Sequence, residues 1–384
     1  MFDRPARRLV EGTLGVPATE GNTIRILRNG DEIFPAMLDA IAAAERTIDF
    51  LTFIYWSGEI GQAFADAFCK AADRGVRVRI LVDAVGARLM DQDLVGQLEA
   101  SECILRRFRP VSRLRPWEVH HRTHRKVMIV DEEIGFTGGV GIADQWQGDA
   151  RNPDEWRDTH FELRGPAVDG LRAAFLDNWH ETELVLFDPE IDRFPDQPTD
   201  GPSVVQVVRG TAETGTSDIA TLVSTLIQLA ERRIRITTAY FVPDDDTVEL
   251  LCDARERGVE VQILLPGPHA DKRFVQLAGE TQYADLLECG VEIWAYQPSM
   301  LHAKIITVDG ELATVGSANL NRRSTRHDDE VNLVVLDPEF VATLDGHFDD
   351  DLGRSERVTE WQWERRSPAQ RLLERVTTIV RPVS

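Results

Sequence analysis

Apolar and polar positions recur along this chain in two matched series. Residues 69–83, CKAADRGVRVRILVD, and residues 252–266, CDARERGVEVQILLP, each read as an amphipathic helix that ends at a glycine, Gly75 or Gly258, and hands over to a buried strand. Further on, VMIV (127–130) and IITV (305–308) are short runs of apolar, mostly β-branched residues, again the pattern of a buried strand. The stretch from Ala44-Glu45-Arg46 through Ile48 to Tyr55 parallels that from Ala230-Glu231-Arg232 through Ile234 to Phe241. Repetition of the same helix-to-strand units predicts an α/β chain made by duplication, each half long enough for a mixed sheet with flanking helices. The Pro-, Asp- and Gly-rich segment FPDQPTDGPS (194–203) places the boundary, giving a first lobe over 1–195 and a second over 196–384. The second lobe ends in a helical tail from Ser367, with Leu372, Leu373, Val376, Ile379 and Val380 on one face. The tail is expected to pack on that lobe; Trp361 and Trp363 keep a membrane-surface helix as the alternative.

Each buried strand follows the same chemistry. His124-Arg125-Lys126, four residues, Asp131, six residues and Gly138-Gly139 are answered by His302-Ala303-Lys304, four residues, Asp309, six residues and Gly316-Ser317-Ala318-Asn319. His and Lys are two apart, so in an extended chain they face the same side. If the halves pack about a pseudo-twofold axis, two imidazoles and two ammonium groups converge on one cleft, a combination suited to a phosphodiester. Lysine usage sharpens this reading. The chain holds only Lys70, Lys126, Lys272 and Lys304 beside many arginines, so two of its four lysines sit in the repeated motif, where a compact ammonium is required.

These residues resemble the phospholipase D superfamily, whose signature, H-x-K-x4-D-x6-G-[GS]-x-N, is carried twice. AYFVPD (239–244), GSANLNRRS (316–324) and DEVNLVVLDPE (329–339) are most similar to the bacterial cardiolipin synthase branch. The resemblance implies two pseudo-twofold-related lobes, each a mixed β-sheet flanked by helices, with the active site at their interface. It implies that His124 attacks phosphorus to give a phosphohistidine and that His302 is the general acid and base, although near-symmetry is compatible with the opposite order. Lys126, Lys304 and Asn319 would hold the non-bridging oxygens. Asp158 and Glu330, at the family's downstream acidic positions, would orient the rings. Asp131 and Asp309, with Gly138, Gly139, Gly316 and Ser317, are expected to be structural. No cofactor and no metal is called for; His120 and His121 lie beside His124, but Lys126 in the same cleft would repel a cation. One position departs from the pattern: Gly141 stands where the first copy should carry Asn, a loss of about 1.5–3 kcal/mol unless Gln145 or the N–H groups of Gly138 and Gly139 substitute.

Other residues are read more plainly. The four cysteines, Cys69, Cys103, Cys252 and Cys289, lack CxxC spacing and are expected to be buried free thiols. Tyr55, Phe241 and Trp146 are expected either in the core or at an acyl-chain entrance. A net charge of −22 disfavours nucleic acid as a partner and works against adsorption to an anionic membrane, so lipid contact must be local. No apolar run approaches the roughly 20 residues of a membrane span, and the start, MFDRPARRLVEGTLGV, lacks a signal-peptide core. The expectation is a cytoplasmic protein, or one peripheral on the inner face of the membrane, resembling a short form of its branch without N-terminal membrane helices. The expected function is phosphatidyl transfer of the cardiolipin synthase type on an anionic phospholipid such as phosphatidylglycerol. A phospholipase D hydrolase releasing phosphatidic acid uses the same residues. A phosphodiesterase or nuclease of the superfamily, and a non-catalytic lipid-binding module admitted by Gly141, are the remaining alternatives.

Overall fold

The computed structural model describes residues 4–110, 121–185, 187–211 and 217–359. The predicted helical tail, Trp361, Trp363 and His120 lie outside the described residues. Seven strands come from the first half: β1 (Thr19–Arg28), β2 (Thr47–Thr52), β3 (Arg77–Asp83), β4 (Ile104–Phe108), β5 (Val127–Val130), β6 (Ile134–Gly138) and β7 (Thr159–Arg164). The second half supplies β8 (Ser203–Gly210), β9 (Arg233–Thr237), β10 (Phe241–Val242), β11 (Glu260–Pro266), β12 (Glu292–Tyr296), β13 (Ile305–Val308), β14 (Leu312–Gly316), β15 (Leu320–Asn321), β16 (Glu330–Leu336) and β17 (Ser355–Arg357).

Fifteen of these strands form one continuous mixed sheet. Outward from its middle the first half runs β1-β7-β6-β5-β2-β3-β4 and the second runs β8-β16-β14-β13-β9-β11-β12, so the two arms have the same order. Antiparallel pairing of β1 with β8 joins the arms. Each arm carries parallel strands in its outer part, β2-β3-β4 and β9-β11-β12, as the helix-to-strand units require, because parallel neighbours need a crossover helix; β17, antiparallel to β12, is the fifteenth strand at the second arm's edge.

Period-2 alternation explains why the strands are apolar throughout. In β5, Met128 and Val130 point into a core shared with helices Asn29–Ala43 and Glu59–Asp73, while Val127 and Ile129 point into a core on the other face. That second core runs under both arms and packs against helices Val168–His180 and Pro338–Leu352. The same split holds in the second arm, where Val334 and Leu336 lie on one face of β16 and Leu333 and Val335 on the other. Strands in the middle of each arm thus have helices on both faces, whereas β1 at the seam exposes Glu20, Thr23 and Arg25.

The repeated aspartates sit where β5 and β13 end. Asp131 and Asp309 have positive φ, 52° and 55°, a conformation that Asp tolerates better than most residues. Each carboxylate accepts three backbone N–H groups of the turn entering the neighbouring strand: Glu45, Arg46 and Thr47 at 2.7–2.9 Å for Asp131, and Glu231, Arg232 and Arg233 at 2.8–2.9 Å for Asp309. They tie one strand end to the next strand's start and lie away from the cleft.

One expectation is corrected here and one alternative is resolved. Cys252 and Cys289 are joined in a disulfide, whereas Cys69 and Cys103 are free. The sequence treated all four alike because the bonded pair is 37 residues apart, and only the packing of helices Asp245–Glu256 and Tyr283–Glu288 brings the thiols together. Tyr55 and Phe241 are core residues and not an entrance: both are buried, and the Tyr55 hydroxyl donates to the Gly61 carbonyl at 2.9 Å.

Candidate active site

The two His-x-Lys segments immediately precede β5 and β13, still extended, and each is held by a strand-like contact to the other half of the molecule. His124 N donates to the Asp329 carbonyl and Asp329 N to the Arg122 carbonyl, both at 2.8 Å. Symmetrically, His302 N donates to the Arg157 carbonyl at 2.7 Å and Arg157 N to the Met300 carbonyl at 2.8 Å. These crossed bridges bring the next residue of each acidic segment against the opposite histidine. His124 Nδ1 lies 3.0 Å from Glu330 Oε1, and His302 Nδ1 lies 2.8 Å from Asp158 Oδ2. Each half therefore lends its carboxylate to the other half's ring, a partnership that the sequence spacing left unassigned. With Nδ1–H given to a carboxylate, Nε2 of either ring is free for chemistry.

Both histidines line one cleft of about 640 Å³, together with Lys126, Asn319 and a wall of aromatic residues. Phe53 packs edge-on against His124 at 5.3 Å, and Trp146, Trp156 and Tyr240 surround His302 at 5.3–6.2 Å. Lys126 and Lys304 are buried, and each ammonium donates to the carbonyl of its own motif histidine. The Oδ1 atom of Asn319 is buried without a hydrogen-bond partner, and its backbone N–H donates to Ser324 Oγ at 3.1 Å.

Burial dominates the electrostatics. It pushes Lys126 down to about 8 and Lys304 down to about 7, despite the pull of Glu330 and Asp158. Burial and then the neighbouring lysines hold His124 well below its usual range and bring His302 down to about 4. The two carboxylates diverge. Burial raises Glu330 to about 7, although Lys126 and Ser317 pull the other way. Burial works in the same direction on Asp158 but is outweighed by His302, Lys304 and the Thr159 N–H, so this group stays ionised below the usual carboxylate range.

Similarity to known proteins gives the family. A family model described as "Cardiolipin synthase, PLD-like domain" matches residues 37–147 and 223–352, one match on each half. The chain belongs to the cardiolipin synthase family of phospholipase D-like proteins. It is a phospholipase D-superfamily phosphatidyltransferase. Cardiolipin synthase 1 of Bacillus anthracis is 33% identical over 379 residues, 96% of this chain and 74% of its own length. The cardiolipin synthase of Geobacillus thermodenitrificans is 33% identical over 371 residues, 96% of this chain and 73% of its own. Among solved structures, the phosphatidylserine synthase of Haemophilus influenzae shares the fold, with a TM-score of 0.74 at 14% identity over 99% of this chain and 100% of that one.

Within this phospholipase D-like site the halves differ at the glycine turn. Ser317 donates its hydroxyl to Glu330, but a side chain at the matching Gly139 would strike the Asp158 carboxylate. Trp146 takes over that donor role: its Nε1–H reaches Asp158 Oδ2 at 2.9 Å. The same indole explains Gly141. A Cβ there would lie 2.8 Å from Ile54 Cβ and 3.3 Å from Trp146 Cη2, so the space of the motif Asn is occupied. Gly139 N–H is spent on the Thr159 carbonyl at 3.3 Å, while Gln145 lines the cleft with its side chain exposed. Gly141→Asn is therefore expected to lower stability by about 1–3 kcal/mol through overpacking, with no gain in activity. Thermal unfolding beside a turnover assay checks this, and a faster variant of unchanged stability would contradict the packing account.

Several site residues carried no assigned role in the sequence. Fully buried Arg122 donates to Asp83 and to the Phe108 and Arg109 carbonyls, and Arg125 donates to the Ala174, Gly210 and Glu330 carbonyls, so both brace the His124 segment. Arg157 binds Asp351 at 2.8 Å and braces the Asp158 segment. Asn321, Arg323 and Ser324 line the cleft and were in view within GSANLNRRS, where Asn319 alone was given a role toward substrate. The signal was proximity to the motif; their direction is a tertiary fact.

Proposed function

We propose that this protein makes cardiolipin by transferring a phosphatidyl group from one phosphatidylglycerol to another through a phosphohistidine on His124. The observation that carries this reading is the pair of His–carboxylate dyads facing one cleft in two different electrostatic states. His124, neutral and oriented by Glu330, has the lone pair on Nε2 that an attack on phosphorus needs. His302 is paired with an ionised Asp158, which stabilises the imidazolium that a general acid requires. Lys126, Lys304 and Asn319 would balance the charge of the non-bridging oxygens.

In the first step the His124 Nε2–P bond forms and the P–O bond to glycerol breaks, with His302 giving its proton to the departing oxygen. In the second, the acceptor's hydroxyl loses its proton to His302 and attacks phosphorus, the N–P bond breaks, and cardiolipin leaves. Lys304 is, after burial, the group that holds His302 at about 4. A bound phosphodiester anion offsets that charge and lets the ring take the proton it must donate.

Work at a membrane surface fits the cleft's rim, where Phe274 lines the opening while 52% exposed. No helix among the described residues is long and apolar enough to cross a membrane. We therefore infer peripheral association, local to this rim in a chain of net charge −22.

Mass analysis of lipid products from phosphatidylglycerol micelles tests the activity. Cardiolipin that is lost in His124→Ala is expected; phosphatidic acid alone would make the protein a hydrolase. The pH profile is a second check. Free-enzyme kcat/KM should rise as His124 loses its proton, well below pH 6.5, begin to fall as the acid His302 loses its own, near 4, and fall more steeply as Lys304 and Lys126 lose theirs, near 7 and 8. Bound anion raises both lysines, so the alkaline limb of kcat should lie higher than that of kcat/KM. Identical alkaline limbs near the ordinary lysine value would remove the lysines from phosphate binding.

A further inference from the structure

One of the four lysines belongs to the cleft without belonging to the motif. Lys70 is exposed on the helix Glu59–Asp73, Lys126 and Lys304 are the motif pair, and Lys272 lines the cleft from the segment after β11. Its ammonium lies over the Tyr240 ring, 4.9 Å from the centroid, and Tyr240 packs edge-on against His302 at 6.2 Å. That stack places Lys272 on the His302 side, where the leaving alcohol departs and where the acceptor must enter.

Arg323 reaches the same cleft from the helix Arg322–Arg326; desolvation foremost, and Arg323 against the stronger pull of Asp271, ease the proton from Lys272. Two like charges sharing a wall are unfavourable unless an anion comes between them. Of the neighbouring carboxylates, Asp271 accepts the Tyr240 hydroxyl at 2.8 Å and its charge offsets part of that of Lys272, and Asp328 accepts Arg323 Nε at 2.7 Å. Burial raises Asp328 to about 7, so near neutral pH it is no strong counter-charge. Among the described residues, Arg323 donates through Nε alone, which leaves the rest of its planar fork for a ligand oxygen. The motif lysines are committed to the reacting phosphate, so this second pair of cations serves another anion.

We propose that Lys272 and Arg323 form a second anion subsite, on the acceptor side of the cleft, that holds the phosphodiester of an anionic lipid alcohol and selects it over a free polyol. This rests on the phosphatidyl-transfer reading above. The reaction itself is unchanged: the acceptor's hydroxyl gives its proton to His302 and forms the new P–O bond while the N–P bond to His124 breaks. The subsite contributes by placing that hydroxyl.

A partition experiment tests it. Enzyme is incubated with phosphatidylglycerol vesicles and isotopically labelled glycerol, and the ratio of cardiolipin to labelled phosphatidylglycerol is measured. Both products arise from one covalent intermediate, so the ratio is blind to the donor and to every step before the acceptor binds. The ratio is expected to fall at least about tenfold in R323Q and in K272Q, and less in R323K, which keeps the charge. Should R323Q fail to fold because it strips buried Asp328 of its partner, K272Q, on an exposed side chain, reads the same ratio. An unchanged ratio in K272Q and R323Q overturns the subsite, as does loss of both products in parallel. Absence of both products from the unaltered protein overturns the phosphatidyl-transfer reading instead, and the subsite with it.

Discussion

His124→Ala is expected to abolish attack on phosphorus for every substrate, whereas His302→Ala should abolish that first step only where the leaving alcohol needs a proton. The first loss should be on the order of 10⁴-fold or more, because removing a nucleophile leaves only binding and charge stabilisation. The second should be as large with phosphatidylglycerol, whose glycerol alkoxide is a poor leaving group. With a p-nitrophenyl phosphodiester the leaving group departs without help, so His302→Ala should still release a burst of one nitrophenol per site and stall as the phosphohistidine. Stopped-flow absorbance and intact-protein mass read both variants. A burst in His124→Ala with none in His302→Ala would reverse the two roles. Neither change should unfold the protein: Glu330, raised to about 7, can take a proton when its ring is gone, and Asp158 keeps the Trp146 and Thr159 donors.

Asp158→Asn should cost about 10³–10⁴-fold in kcat, and Glu330→Gln a loss on the order of tenfold smaller. The difference follows from the surroundings of each group. Asp158 receives only donors: Thr159 N–H on Oδ1, and the Trp146 indole with the His302 ring on Oδ2. A carboxamide must turn its NH2 toward one of these sides, leaving a buried N–H without an acceptor and costing about 1–3 kcal/mol in stability. It also removes the negative charge that lets His302 carry a proton. Glu330, already raised to about 7, is close to neutral at working pH, so a neutral carboxamide changes less. Steady-state kinetics with phosphatidylglycerol and burst kinetics with the nitrophenyl substrate separate the cases. In the burst that precedes steady state the activated substrate should recover most of the Asp158→Asn loss, since that first step then needs no acid. Equal losses in both variants, unaffected by the leaving group, would end the division of roles between the dyads.

Much of the chemistry was legible because it is local. His and Lys two apart, before a run of β-branched residues, read as one face of an extended segment, and the duplicated spacing read as two such faces in one fold. Gly141 was legible as a departure, but its cause was not: the displaced amide's space is filled by Ile54 and Trp146, which are remote in the chain from one another. Trp146 itself was read as core or acyl entrance, and its indole N–H on Asp158 had no sequence signal, since any buried Trp seeks an acceptor.

By itself the sequence determined the duplicated α/β architecture, the two His–Lys pairs and the absence of a long apolar run, because periodicity and spacing are properties of neighbouring residues. Only the tertiary structure decided which carboxylate serves which ring. Asp158 and Glu330 each lie downstream of a motif histidine in their own half, and that spacing is compatible with either partner. The crossed backbone bonds of His124 with Asp329 and of His302 with Arg157 settle the exchange. The Cys252–Cys289 bond, the burial of Tyr55 and the placing of Lys272 and Arg323 in one cleft are of the same kind. Each depends on contacts between segments far apart in the chain, and it is long-range packing, more than local preference, that selects among the partners a sequence allows.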